Sequence, residues 1–297
     1  MNFLKKFFEK FAFRVPAKSV SAVRSRRILP GFAPTLSLSL VYLTLLVLIP
    51  LSTLIFRSAE LGFVGFWNAV TDARVLASFR VTFGTALAAA LANLVLGTII
   101  AFFLVRVRFP GKEIVNSLID LPFAMPTAIC GIAMATIYAP KGDIGAIFAK
   151  FGIKIAFTPL GIVIAMIFIG MPFVVRAVQP ALEDLGRDIE DAARSLGAGR
   201  FRILLHVLVP SLAPALLSGF TLAFARGLGE YGTVIFIAGN APMKTEITSL
   251  LIVTQLEQYN YPGGTAIALT MLVASLLLIL AVNRLFRGRR EIAMSRR

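Results

Sequence analysis

Six stretches of the chain hold few or no charged residues and are rich in Leu, Ile, Val, Ala and Phe, at about 36–56, 81–105, 115–138, 160–178, 211–237 and 265–283. Each supplies the ~20 helical residues that a ~30 Å hydrocarbon core requires, so the pattern predicts six transmembrane helices in an all-α membrane protein. Pro50 bends the first span. Gly84, Ala88, Ala89, Ala92 and Gly97 let neighbours approach the second closely, so it belongs among other helices. The polar remainder divides into a basic segment over 1–34, a loop over 179–210 within the membrane domain 35–285, and a basic tail over 286–297.

Charge placement gives the spans a direction. With a cytoplasmic N-terminus, 22 Lys and Arg lie inside, and seven lie outside: Arg57, Arg74, Arg80, Lys141, Lys150, Lys154 and Lys244. The positive-inside rule then puts both termini and the 179–210 loop in the cytoplasm. Residues 1–30 alternate Lys5, Lys6, Lys10 and Arg14 with Phe3, Phe7, Phe8 and Phe11, as a segment lying on an anionic leaflet does. No apolar core and cleavage site follow promptly, which excludes a signal peptide. Composition leaves an organelle transit peptide as the alternative.

Hydrophobic residues make up 58% of the 297 positions, and the mean hydropathy of +0.84 fits an integral membrane protein. The net charge of +15 raises the question of nucleic acid. The basic residues flank apolar spans instead of forming an aromatic-studded patch, so membrane topology accounts for them. One Cys, Cys130, excludes an intrachain disulfide, and with the single His206 it offers no zinc site. Cys130 reads as a small packing residue. His206 reads as a surface or interface residue. Neither a cofactor nor a catalytic cluster is expected, and no G-x-x-x-x-G-K-[ST] loop binds ATP.

The 179–210 loop has its own pattern. Ile189, Ala192, Ala193 and Leu196 fall at i, i+3, i+4 and i+7, one apolar stripe, while Asp188, Glu190, Asp191 and Arg194 face elsewhere. Arg187 with Asp191 and Glu190 with Arg194 form i,i+4 pairs of about 0.2–0.5 kcal/mol each. Gly197 suits a left-handed helix end. Pattern alone favours a loop helix that covers its own protein.

Asp120, Arg226 and Glu230 fall inside predicted spans, where charge is costly and by default functional. Arg226 and Glu230 lie i,i+4 among Gly227, Gly229 and Gly232, either as an ion pair that locks packing or as a translocation path and gate. Asp120 stands beside Pro122 and Pro126, which interrupt the third span. It either caps that helix at the interface or joins the path. Tyr259 and Tyr261 read as an interfacial anchor on the outer side.

Asp191-Ala192-Ala193, three residues, Gly197, nine residues, Val207, Leu208, Val209-Pro210 resembles the EAA loop of ABC-transporter membrane subunits. Asp191 stands for the family's Glu, and Val207 and Val209 for Ile and Leu. The resemblance implies a coupling helix that docks on a separate ATPase, with that role on Asp191, Ala192, Ala193, Gly197 and Pro210.

Over about 25–285 the chain is similar to the sulfate and thiosulfate permease subunits of the CysT family. The most specific pieces are Arg108-Phe109-Pro110-Gly111, Asp120-Leu121-Pro122-Phe123-Ala124, Pro172-Phe173-Val174-Val175-Arg176 and Gly229-Glu230-Tyr231-Gly232. That resemblance implies a MetI-like ABC permease fold in the inner membrane, a CysW-like second permease, a CysA-like ATPase dimer and a periplasmic sulfate- and thiosulfate-binding protein. It implies coupled alternating access, with Arg226 toward an anionic substrate. A molybdate or tungstate permease is the sibling reading. A channel or gradient-driven carrier would need no such loop, and a membrane enzyme would need a polar catalytic cluster.

Overall fold

In a computed structural model of the chain, residues 32–294 are described, with side chains for 34–284. Most of the amphipathic segment expected over 1–34, and the end of the basic tail, lie outside the described residues. Those described form helices and turns, with no strand among them.

The chain divides into two units, Met1–Ser52 and Thr53–Arg297. The boundary falls inside the helix Pro34–Ala59, whose side chains up to Ser52 are mostly apolar and largely exposed. Before Pro50 this helix widens to a π-turn over Thr44–Leu48, closed by the Ile49 amide donating to the Thr44 carbonyl. Proline has no N–H for the carbonyl four residues back and its ring collides with it, and the wider turn relieves both problems. The same device precedes Pro210, where Leu204–Leu208 is π-helical and the Val209 amide donates to Leu204.

In the second unit, Ala73–Arg106, Pro159–Asp184 and Arg200–Leu228 pack against one another most extensively. Small residues permit this. A Cβ added at Gly97 would lie 2.8 Å from the Val174 Cβ, and one at Gly219 would lie 2.9 Å from the Val174 Cα. Pro159–Asp184 is central, burying Ile162, Ala165, Met166 and Ile169 on one helical stripe and Val174, Val175, Val178 and Leu182 further along. Tyr261–Arg284 flanks the trio with Thr248–Glu257 and Gly62–Thr71 beside it.

Five described helices are long and apolar enough to cross a membrane. The third predicted span, 115–138, is instead broken into Lys112–Ile119, Leu121–Ala124 and Thr127–Tyr138. Pro126 drives Met125 into extended backbone (φ −91°, ψ 136°), which no α-helix can pass through. The fifth predicted span, 211–237, also ends early. Its helix stops at Leu228, and only Val234–Ile237 resumes after the glycine-rich turn. The second starts earlier than the pattern indicates, at Ala73, because the Asp72 carboxylate accepts from the Arg74 amide at 2.8 Å and caps it.

Candidate functional site

The 179–210 loop carries the helix Asp188–Ser195, closed by Gly197 in the left-handed region (φ 82°). Three acidic residues in its first turn and Arg194 in its last complement the helix dipole. Its orientation differs from the one the charge pattern suggests. Glu190 turns inward and is buried, while Ile189, Ala192 and Leu196 face out, with Leu196 88% exposed. Ala193 is half-buried, against the core cluster around Val178 and Leu182. The apolar stripe is therefore mostly presented, and the helix is held from behind by charge.

That hold is a compact network. Arg106 Nε donates to Glu190 Oε1 at 2.9 Å and its Nη2 to the Gly186 carbonyl at 2.6 Å. Arg187 Nη2 returns a bond to the Arg106 carbonyl at 2.7 Å, so Arg187 does not form the expected pair with Asp191. Arg194 joins Glu190 Oε2 at 3.2 Å and also pairs with Asp191. Asp191, Ala192 and Gly197 are exposed beside the apolar face, and Pro210 is exposed just past the second π-turn.

Asp120 does not cap a helix. Arg176, on Pro159–Asp184, grips its carboxylate with two prongs at 2.9 and 2.6 Å. The same guanidinium reaches Asn116 Oδ1, the Asn116 carbonyl and Gln179 Oε1. The broken third span is thereby clamped to the central helix, with Phe123 packed edge-on to Phe173 nearby.

Arg226 and Glu230 are ion-paired. Glu230 is buried, and its other oxygen accepts from the Thr233 amide at 2.8 Å, fixing the turn that leads into Val234–Ile237. Thr233 Oγ1 donates to the Thr127 carbonyl at 3.0 Å, joining this turn to Thr127–Tyr138. Arg226 is half-buried. The structure does not bring Asp120 into a direct bond with either residue. Among the described residues, no group of three or more His, Cys, Asp or Glu could hold a metal ion.

At the other end of Ala73–Arg106, Arg74 Nε and Nη2 each donate to the buried Glu246 at 2.7 Å. Thr82 Oγ1 accepts from the Thr248 amide at 2.9 Å, which satisfies a free donor at the start of Thr248–Glu257.

Residues 93–290 match the family model of the binding-protein-dependent transport system inner membrane component. The chain belongs to this family. It is 47% identical over 264 residues to the "Sulfate transport system permease protein CysT" of Escherichia coli, covering 89% of this chain and 95% of that one. The protein of the same name from Synechocystis is 46% identical over 253 residues, covering 85% and 88%. Among solved structures, a bacterial alginate ABC transporter in complex with a periplasmic protein bound to alginate pentasaccharide aligns with a TM-score of 0.70. It shares 16% identity over 86% of this chain and 93% of that one, a likeness of fold.

The chain is thus a multi-pass permease component of a binding-protein-dependent ABC importer, not an enzyme. Sequence reading passes over the partners that hold its sites. Arg106 enters it as a basic residue counted for topology, Arg176 as that and as the end of a family-like piece, and Glu190 as a surface charge paired with Arg194. One signal is present for both arginines: Arg106 closes one long apolar run and Arg176 lies near the end of another.

Proposed function

We infer that this permease is the membrane-spanning subunit of an ATP-driven importer of sulfate and thiosulfate. Its relatives of 46–47% identity carry sulfate transport in their names over nearly their whole length, and none of them favours the molybdate reading. The observation that carries the ATP-driven class is the Asp188–Ser195 helix, which presents Ile189, Ala192 and Leu196 outward while Glu190 is fixed behind them. A loop that served only to cover its own protein would turn that stripe inward.

Asp191, Ala192, Ala193, Gly197 and Pro210 form the coupling loop, which docks in a cleft of a CysA-like ATPase dimer. A CysW-like permease completes the membrane part, and a periplasmic binding protein delivers the anion. Both termini lie in the cytoplasm, as the 22-to-seven basic asymmetry supports. ATP closes the ATPase dimer, the coupling helices move with it, and the spans open toward the binding protein. Hydrolysis resets them. Arg226 faces the path with Glu230 buried behind it as counter-ion. Asp120, held by Arg176, keeps the broken third span beside that path.

Uptake of labelled sulfate by cells lacking the gene, with and without a plasmid copy, tests this reading. Gene-dependent uptake, competed better by thiosulfate than by molybdate, is expected. Unchanged sulfate uptake with lowered molybdate accumulation would overturn the cargo and leave the class standing. Asp191→Lys should abolish uptake while the subunit still inserts, and wild-type uptake by that variant would overturn the coupling assignment.

A further inference from the structure

Ala73–Arg106 is 34 residues long and, among the long described helices, is the one with no proline. At 1.5 Å per residue it measures about 51 Å, well beyond a ~30 Å hydrocarbon core, so its ends reach opposite membrane faces. Its two neighbours in the core carry prolines within the helix, Pro159–Asp184 at Pro172 and Pro180 and Arg200–Leu228 at Pro214, the latter also widened by its π-turn.

Both ends of this unbroken helix close on a polar segment through a buried carboxylate. At one end Arg106 grips Glu190 and the Gly186 carbonyl, while Arg187 grips back, so the coupling helix is bonded to this terminus in both directions. At the other end Arg74 holds Glu246 with two prongs, and Thr82 accepts from the Thr248 amide. The segment held there leads into Thr248–Glu257 and the Tyr259 and Tyr261 turn, whose Tyr259 is 80% exposed. Carboxylates this buried are costly unless paired, and each has its partner on this one helix.

We propose that Ala73–Arg106 is the rod that makes the coupling helix and the 245–261 segment on the opposite face move together, with Arg106 and Arg74 as its two clamps. The proposal rests on the ATP-driven reading and names a route within it. Arg106, Glu190, Arg74 and Glu246 are positioning residues, since each acts through the rod and not on the transported anion. A signal from a binding protein docked at the 245–261 face reaches the ATPase through this rod, and an end released from its clamp no longer passes it on.

The test uses the complete transporter, with second permease and ATPase, in liposomes. ATP hydrolysis is read with and without sulfate-loaded binding protein, alongside uptake of labelled sulfate. Glu190→Gln and Glu246→Gln keep side-chain size and an acceptor oxygen while removing the charge. Each should lower the stimulated hydrolysis about tenfold, within the usual range of couplings between sites, and leave the basal hydrolysis unchanged. The double variant should fall no further than the worse single one, because the clamps act in series, whereas two separate local defects this far apart would multiply. Should a glutamine variant fail to assemble, Arg106→Lys or Arg74→Lys takes its place, keeping the charge but not the two-pronged grip, with the same loss expected. Full stimulation in either single variant, or multiplying effects in the double, would overturn the rod. A wild-type complex that takes up no sulfate with ATP would instead overturn the function on which it rests.

Discussion

Two adjacent carboxylates on the helix Asp188–Ser195 have opposite surroundings. Asp191 is 62% exposed and pairs with an Arg194 that is itself 53% exposed, a type of surface pair worth about 0–1 kcal/mol. Glu190, with 7% of its side chain exposed, faces an Arg106 at 9%. Removing one member of such a buried pair leaves an uncompensated charge and costs about 3–5 kcal/mol. Glu190→Ala should therefore lower the thermal unfolding midpoint of the detergent-solubilised subunit distinctly, while Asp191→Ala stays within about 0.5 kcal/mol of wild type. Equal midpoints for the two variants would remove Glu190 from the fold's support. The family pattern draws attention to position 191, and nothing in the sequence marks 190 as the residue turned inward. Helical periodicity places both on the polar side of the stripe. Which side meets the bundle is decided by Arg106, 84 positions away, and a local pattern carries no information on a partner so distant.

At the scale of elements, the long helices were legible because apolar length is a local property. The interruptions were legible only where proline causes them. Pro50 and Pro210 each follow a π-turn, and Pro126 ends the run before Thr127. The turn after Leu228 depends instead on tertiary contact, since Gly131 and Gly232 let Thr127–Tyr138 approach the Thr233 backbone closely. A Cβ at Gly131 would lie 2.9 Å from the Thr233 Cα, and backbone cannot step aside as a flexible side chain does. Gly84 has nothing within 4 Å of its added Cβ, in mid-helix, where alanine is favoured over glycine by about 0.8–1 kcal/mol. Gly131→Ala should destabilise by about 1–3 kcal/mol and Gly84→Ala should be neutral or stabilising, read as opposite shifts of the unfolding midpoint. Arg176→Lys keeps the charge but gives up the fork that reaches Asp120 and Asn116 together. It should raise protease sensitivity within 112–138 before it alters the rest of the chain, and unchanged cleavage would mean that the third span holds without its clamp.

For the whole molecule, orientation is the property that no single contact fixes, and the chain supplies its own means of reading it. Its one cysteine, Cys130, is buried at 3% exposure and so is a poor target for an aqueous thiol reagent. With Cys130 changed to Ala, a cysteine placed at Leu196 or Tyr259 becomes the sole thiol. These two positions are 88% and 80% exposed and lie beside opposite ends of Ala73–Arg106, Leu196 on the helix that Arg106 grips and Tyr259 beyond the segment that Arg74 grips. The basic asymmetry assigns Leu196 to the cytoplasm and Tyr259 to the far side. A membrane-impermeant maleimide should therefore label Tyr259→Cys in cells whose inner membrane is intact, and Leu196→Cys only after that membrane is opened. The reverse order would invert the topology and carry the apolar face of Asp188–Ser195 away from any cytoplasmic ATPase. Labelling of both positions in intact cells would mean that the two ends of the rod are not separated by the membrane.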